Sequence, residues 1–383
     1  MRNDIRILLL MLIVCAGVTR HTQAATLTVE TDGSGDFIII QDALDAAAVG
    51  DSILIGEGRF DTFRVGNTNH DGSAFAGIMW VTTDSLTIIG AGRDLTIVGP
   101  EIATDEELGE GTASLVVDTG ALTYITGITF EHTRWIANFF HQTTIENCRT
   151  RRVPFGNTAA MFFSTCEDAI VRDCEFLGEN GLVTAGGVKR LTVEGCHFDA
   201  QSPDELAVVI GNGAKDCMIR RCSFVRGGVG VQFSLGGTGW VEDCTFEDIR
   251  VVGIDLSGGS AIVRRCHIGQ TRMCLRGGSG RLEVYDSVIE GGTQYTIATT
   301  ADMYLRNCHI LNAGAPTVFG RVAPGNGFVD VRENWWGTDD LVQIESWIDD
   351  SEGTVLWQPV LTQPVPSDQE SIGGLKGQFR RRN

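Results

Sequence analysis

One four-residue phrase recurs nine times along this chain and constrains its fold more than any other feature. Each copy has an aliphatic residue, two mostly polar residues and a closing position that is usually cysteine. A large apolar residue follows two positions later in eight copies. The closing positions lie 21 to 26 residues apart, which suits one turn of a repeat and is too short for a helix pair. The copies begin at Ile145, Val171, Val193, Ile219, Val241, Val263, Val284, Leu305 and Val331.

The pattern within each phrase predicts a strand, a corner and a second strand. Alternation of apolar and polar residues after the cysteine indicates a strand with one buried face. The polar pair before the cysteine suits a tight turn of the chain. One such unit cannot bury its apolar face alone, whereas stacked units join their apolar residues into continuous columns. The sequence therefore predicts a parallel β-solenoid.

The phrase resembles the corner of the secreted right-handed parallel β-helix proteins of the pectin-lyase-like superfamily, over about residues 26 to 361. The superfamily often carries an inward asparagine stack at that corner, where this chain has cysteine in seven copies and Asn334 in the last. The resemblance implies an all-β fold, a single-stranded right-handed parallel β-helix of about ten coils with a short helical cap at each end. It says little about chemistry, since the superfamily includes lyases, hydrolases, esterases, epimerases and binding proteins.

The chain divides into three parts. Residues 1–24 combine Arg2 and Arg6 with an apolar run and small residues, which is typical of a secretory signal peptide, and lipidation at Cys15 stays an alternative. Residues 25–361 form the predicted β-helix, and residues 362–383 a linker and basic tail. We expect a secreted, periplasmic or cell-surface protein without a membrane span.

Two segments of the β-helix domain are predicted to cap its ends, where strand edges and core would otherwise be exposed. The N-terminal cap covers about residues 36–49, with Ile40, Ala43, Leu44 and Ala47 on one helical face. The C-terminal cap covers about residues 334–361. It opens with an Asn-Trp-Trp-Gly-Thr sequence that resembles the closing coil of many bacterial β-helix proteins, and Leu341, Ile344 and Trp347 follow at helical spacing.

The composition excludes some partners. The formal net charge is −19, which argues against nucleic acid and anionic membranes because both are bound by basic surfaces. It also argues against tight capture of a polyanionic sugar unless a local basic patch exists. We expect a monomer whose partner is a polysaccharide or cell-surface glycan.

The cysteines are predicted to be mainly small core residues. Parallel strands lie about 4.8 Å apart, whereas the Cβ atoms of a disulfide are about 3.8 Å apart. Stacked cysteines should therefore stay free thiols, and pairing among Cys166, Cys217 and Cys274 is left open. A one-dimensional stack does not bring four ligands together, so we expect no metal and no cofactor.

One candidate catalytic site lies on the strands between the corners. Alignment by their Gly-Gly turns places Gln232, Asp255 and Cys274 on the outer face of neighbouring rungs, with Arg276 one step further and Arg272 nearby. Carboxylate, guanidinium and amide together resemble part of a pectinesterase site, in which Asp acts as nucleophile or acid. Such chemistry needs two aspartates, and the superfamily's catalytic phrases are missing. An ion pair between rungs is the alternative.

A second candidate, for substrate binding, comprises His132, Arg134, Trp135 and His141. Aromatic and basic groups there could stack on a sugar while His or Glu131 moves a proton. The alternative is a set of ordinary corner residues.

Two functions remain open on sequence grounds. The first is a binding or structural β-helix that holds a polysaccharide without cleaving it. The second is a carbohydrate-active enzyme, either a lyase, an esterase or a glycoside hydrolase, that acts on the outer face of the solenoid.

Overall fold

The chain forms a right-handed parallel β-helix in which successive coils stack in register. A computed structural model describes residues 24–62, 64–67, 74–101, 112–117, 122–132, 134–138, 142–151, 159–178, 181–200, 202, 204–311, 317–321, 328–350 and 355–365. Each complete coil contributes one strand to each of three sheets. The predicted fold class is confirmed, with slightly more coils than the ten expected, because sheet 3 alone has 11 strands.

Sheets 1, 2 and 3 are named here in the order in which the chain visits them within a coil. Sheet 1 contains Ala74–Val81, Thr112–Val117, Arg134–Asn138, Met161–Ser164, Leu182–Thr184, Leu206–Ile210, Val229–Ser234, the first part of Val252–Arg264 and of Met273–Tyr285, Tyr295–Thr299, Thr317–Arg321 and Ile348–Asp349. Arg64–Asn67 pairs antiparallel with Ala74–Val81 at its start.

Sheet 2 contains Thr26–Val29, Ser52–Ile55, Thr87–Gly90, Thr123–Thr126, Thr143–Glu146, Ile170–Arg172, Thr192–Glu194, Cys217–Arg220, Thr238–Glu242, the second part of Val252–Arg264 and of Met273–Tyr285, Asp302–Arg306, Val329–Asp330 and Val355–Leu356. Sheet 3 contains Gly58–Phe60, Thr96–Val98, Thr129–Glu131, Arg149–Arg151, Glu175–Gly178, His197–Ala200, Ser223–Arg226, Thr245–Glu247, His267–Thr271, Val288–Gly292 and His309–Leu311.

The recurrent phrase forms the corner between sheets 2 and 3. Its third residue adopts a left-handed backbone conformation in every copy, with φ between 50° and 63°. Asn, Asp and Gly tolerate that conformation best, which explains why they are frequent at this position. The nine residues are Asn147, Asp173, Gly195, Arg221, Asp243, Arg265, Asp286, Asn307 and Glu333.

The closing cysteines form a buried column, as the sequence predicts. All ten cysteines of the described residues are buried free thiols. Each thiol of the column points at backbone carbonyls, as Cys222 Sγ does at 3.3 Å from the Arg220 oxygen. Ser287 takes the same place and donates its hydroxyl to the Tyr285 carbonyl at 2.8 Å. Asn334 ends the column, where its side-chain amide bonds Leu305 and Val331 carbonyls.

A second inward column is aromatic. Phe176, Phe198, Phe224 and Phe246 stack on successive coils, with ring centroids 4.4, 5.0 and 4.6 Å apart. These are the residues two positions after the cysteines. The repeated pattern thus builds the core as vertical stacks rather than as an interdigitated cluster.

Helices cover both ends of the solenoid, which confirms the two predicted caps. At the first end, α1 (Ile40–Ala46) buries Ile40, Ala43 and Leu44 against the first coils. At the other end, α2 (Leu341–Ser346) begins at Asp340, whose carboxylate accepts from two backbone amides of its first turn. Only Ile344 of α2 is buried, so the prediction that Leu341 faces the core is wrong.

Candidate functional site

Gln232, Asp255 and Arg276 lie side by side on the outer face of sheet 1. Strand register pairs Gln232 with Asp255 and Asp255 with Arg276 on neighbouring rungs. Arg276 donates from Nε to Asp255 Oδ1 at 2.6 Å and from Nη2 to Oδ2 at 2.8 Å. The Gln232 amide and the Ser257 hydroxyl each donate to Oδ2 at 2.8 Å. The structure therefore brings three of the four predicted catalytic residues together.

The Asp255 carboxylate is buried and fully bonded. Its exposed fraction is 0%, while the Arg276 side chain is 40% exposed. Burial raises the pKa of Asp255, but hydrogen bonds from Arg276, Gln232 and Ser257 outweigh it and hold the pKa below its ordinary value. A nucleophile or general acid must reach its substrate, and this carboxylate has no free oxygen to offer. Its surroundings favour the ion pair between rungs.

Two details of the sequence alignment at this site are wrong. Cys274 is buried and does not lie on the outer face beside Asp255. Alignment by Gly-Gly turns crosses a register shift near Ser257, so Gly277 pairs with Leu256 rather than with Gly258. Arg272 also stays away from Asp255, because it lies four residues before Arg276 and donates to Gln294 Oε1 at 3.0 Å.

The second predicted site is covered only in part by the described residues. His132 is buried at the end of a sheet 3 strand, and its Nδ1 donates to the Pro100 carbonyl at 3.0 Å. Glu131 beside it is 1% exposed and pairs with Arg59 and Arg151. Arg134 and Trp135 lie on a sheet 1 strand. His141 lies outside the described residues, so the predicted cluster stays a prediction.

A groove of about 870 Å³ opens at the corner between sheets 3 and 1, here called the corner groove. Three successive coils line it. Its residues are Glu247 to Arg250 from the first coil, His267 and Gly269 to Arg272 from the second, and Glu290 to Thr293 from the third.

Short connections form the floor of the corner groove. Between sheet 3 and sheet 1 its coils have only residues 248–251, 272 and 293–294, and the preceding coil has only 227–228. Backbone bonds tie the corners together, as Arg272 N donates to the Ile249 carbonyl at 3.2 Å and Thr293 N to the Arg272 carbonyl at 3.1 Å. The groove therefore has a floor fixed by the coil stacking itself.

Carboxylates alternate with a glycine along the groove. Glu247 pairs with Gly269 and Gly269 with Glu290 in sheet 3, so the two glutamates occupy alternate rungs. His267 Nε2 lies 3.6 Å from Glu290 Oε2. In contrast to Asp255, Glu290 has a half-exposed side chain.

Sequence reasoning missed the corner groove because its side chains carry no recognisable catalytic phrase. The available signal was the shortness of three successive connections, which requires strand bounds more accurate than a pattern provides. Arg272 was named from the sequence, but for another site.

Comparison with known proteins supports the fold. Residues 206–335 match the family model described as "Right handed beta helix region". No curated protein sequence matches the chain.

Solved structures similar to this chain include two carbohydrate-related proteins. One is the catalytic unit of a thermostable GH87 alpha-1,3-glucanase from Streptomyces thermodiastaticus strain HF3-3, at 12% identity and a TM-score of 0.51, with 90% of this chain and 71% of that chain covered. Another is a tailspike protein double mutant of E. coli bacteriophage HK620 in complex with pentasaccharide, at 13% identity and a TM-score of 0.58, with 81% of this chain and 65% of that chain covered. The chain thus spans just under two thirds of the tailspike. At such identities the likeness shows the fold alone.

Among the described residues, no helix has the length and apolar character that crossing a bilayer requires.

Proposed function

We propose that this protein is a secreted or cell-surface β-helix that binds a polysaccharide in the corner groove without cleaving it. The observation that carries the proposal is the groove itself, about 870 Å³ in volume and lined by three successive coils. Its Thr293 hydroxyl, the Gln270 amide and its charged groups are the kinds of side chain that bond sugar hydroxyls.

The periodicity of the solenoid suits a linear polymer. Adjacent rungs place equivalent backbone positions about 4.8 Å apart, which is close to the length of one sugar residue in an extended glycan. A chain lying across the three coils would cross about one rung per sugar residue. The corners are fixed by backbone hydrogen bonds, so little ordering of the protein would oppose binding.

The similar solved structures also support a carbohydrate ligand. The tailspike is described in complex with a pentasaccharide, and the glucanase by its action on an alpha-1,3-glucan. Neither comparison identifies residues in this chain, so the location of the site rests on the groove alone.

Affinity electrophoresis of the full chain through gels containing single polysaccharides tests the proposal. Arg250, on the rim of the groove, is exposed, and we expect Arg250→Ala to weaken the retarding interaction at least about tenfold, the loss of roughly one hydrogen bond to a charged group. Arg265→Ala is the matched control, since Arg265 is an exposed arginine that pairs with Asp243 at another corner. The proposal would be contradicted if no polysaccharide retarded the protein, or if Arg250→Ala and Arg265→Ala weakened the retardation equally.

A second function, glycoside hydrolysis, is favoured by the two groove glutamates. Glu247 and Glu290 lie on alternate rungs, and two rung spacings amount to about 9.6 Å. Inverting glycosidases hold their two carboxyl groups about 6.5–9.5 Å apart, with room for a water between them. Release of reducing ends from a retarded polysaccharide, abolished by Glu247→Gln, would make hydrolysis the function and binding only its first step.

A further inference from the structure

We infer that the corner groove selects a glycan that carries free amino groups. The inference rests on the proposed function and adds the chemical class of the ligand. Three features of the groove support it: the balance of its charges, the spacing of its carboxylates and the gap between them.

The charge balance favours a cationic ligand. Glu247, Asp248 and Glu290 line the groove against two guanidinium groups, those of Arg250 and Arg272. Arg272 already donates to the Gln294 side chain, which occupies part of its bonding capacity. The whole chain carries a formal charge of −19, so the field around the groove adds to its negative lining. A polyuronate would be repelled, whereas a protonated amine would be attracted.

The spacing of the carboxylates matches a repeating amine. Glu247 and Glu290 occupy alternate rungs, with Gly269 on the rung between them. In an extended ribbon-like glycan, each sugar residue is flipped relative to the one before it. Every second amino group of such a polymer therefore points toward the same side of the chain. Two rungs of the β-helix, about 9.6 Å, give the carboxylates a comparable repeat.

The rung between the two glutamates keeps them apart. Gly269 occupies that rung, and a methyl group built there would lie 3.1 Å from His267 Cε1 and 3.5 Å from His267 Nε2, so the imidazole covers the glycine. The same ring comes within 3.6 Å of Glu290 Oε2. The gap between the glutamate rungs is thus filled by an imidazole, which separates two acceptor positions instead of merging them into one charged surface.

An ammonium group of the ligand forms stronger hydrogen bonds with the groove glutamates than a hydroxyl group does. Hydrogen bonds that involve an ionised partner are roughly twice as strong as those between neutral partners. Glu290 keeps half of its side chain exposed beside His267, so its carboxylate can accept from a ligand without breaking a buried pair. Selectivity for the amine should therefore depend on the two glutamates rather than on the arginines.

Three soluble polymers separate the possibilities: poly-β-1,4-glucosamine with free amines, its partially N-acetylated form and polygalacturonate. We expect the full chain to bind the free amine at least about tenfold more tightly than the acetylated polymer, because acetylation removes the charge. Binding should weaken as salt shortens the Debye length. Isothermal titration calorimetry at two salt concentrations measures both effects.

Isosteric variants locate the selectivity. Glu247→Gln and Glu290→Gln should each reduce the preference for the amine by about fivefold to tenfold while binding to the acetylated polymer persists. Glu242→Gln is the matched control, because Glu242 lies on the outer face of sheet 2 and pairs with Arg265. Glu242→Gln should leave the preference unchanged.

Each outcome decides a separate point. Binding of polygalacturonate at least as tightly as the amine overturns the inference and leaves the proposed function standing. An amine preference that falls equally in Glu242→Gln overturns it too, because general attraction to an acidic surface would then explain the binding. Failure of every glycan in the gels and in the titrations refutes the proposed function itself.

Discussion

Asp255 and Glu290 are carboxylates of neighbouring coils with opposite surroundings. Asp255 lies within sheet 1, has no exposed surface and accepts four hydrogen bonds from three side chains. Glu290 lies at the edge of the corner groove, is half exposed and has His267 at 3.6 Å. The Asp255 carboxylate is fully engaged by side chains of the protein, whereas the Glu290 carboxylate can still bind a ligand.

The difference lies in the adjoining backbone rather than in the type of residue. On sheet 1 the strands are in register, so Gln232 and Arg276 are brought directly beside Asp255. At the corner groove, Gly269 supplies no side chain to the rung beside Glu290. An acidic residue next to an arginine in a repeat is therefore a poor indicator of catalysis, since the repeat itself tends to pair it.

The largest expected effect is on stability, at Asp255. Asp255→Ala removes the common acceptor of Arg276, Gln232 and Ser257, and should lower the free energy of unfolding by about 3 kcal/mol. Polysaccharide binding in the corner groove should not change. Denaturant midpoints of the two proteins, with gel retardation measured in parallel, check both statements.

A matched control tests whether burial causes the effect. Asp94 pairs with Arg149 at 2.7 Å and its side chain is 76% exposed, so Asp94→Ala should cost no more than about 1 kcal/mol. Equal losses at Asp94 and Asp255, or loss of glycan binding in a folded Asp255→Ala protein, would remove the distinction between the two regions.

A smaller effect is expected on the pH dependence of stability. The pKa of Asp255 is held below its ordinary value of 3.8, so its ion pair stabilises the fold above that pH, and this contribution is lost as the pH falls through the lowered pKa. In Arg276→Ala the guanidinium that lowers this pKa is gone while burial still raises it, so the pKa of Asp255 lies above its wild-type value. The variant therefore takes up the proton at a higher pH than the wild type does.

Denaturant midpoints between pH 5 and pH 3 compare the two proteins. Other carboxylates titrate in both, so the informative quantity is the difference between the wild-type and Arg276→Ala curves. That difference should shrink as the pH falls. A constant or growing difference would show that Arg276 does not control the ionisation of Asp255.

The smallest effect is expected at Gly269. Its φ is not in the left-handed region, but the added methyl group would lie 3.1 Å from His267 Cε1, so the imidazole must shift and Gly269→Ala should lower the free energy of unfolding by roughly 1 kcal/mol. The displaced imidazole lies beside Glu290, and its shift should weaken glycan binding about twofold to threefold, the effect of a fraction of one contact. Gly213→Ala is unsuitable as a control because its φ is 77°. Gly186→Ala is suitable, since its nearest contact would lie at 3.6 Å. Unchanged binding in Gly269→Ala would place the ligand elsewhere.

Much of the fold could be predicted because the sequence itself repeats at the spacing of one coil. Aliphatic, cysteine and phenylalanine positions recur at coil spacing, and each must face inward because a coil can bury apolar groups only on its neighbours. The polar pair before each cysteine predicted the tight corner between the strands, and the left-handed residue within it is a finding of the structure. Short amphipathic segments at both ends of the β-helix domain predicted the helical caps.

The sites were less predictable, for two physical reasons. Outward side chains meet across coils, so their partners depend on register, and a shift near Ser257 displaced Cys274 and Gly277 from the positions that the Gly-Gly alignment assigned. The corner groove depends on where strands end, which local patterns locate poorly.

The sequence by itself determined which residues of the recurrent corner are inside, because their burial follows from the apolar repeat. Only the tertiary structure decided which outward groups pair and which stay open. Asp255 is bonded and Glu290 is half exposed, although both are acidic residues of adjoining coils. The physical reason is that the pairing of outward side chains depends on the register of neighbouring strands and on the length of the connections between them. The local alternation of apolar and polar residues encodes neither.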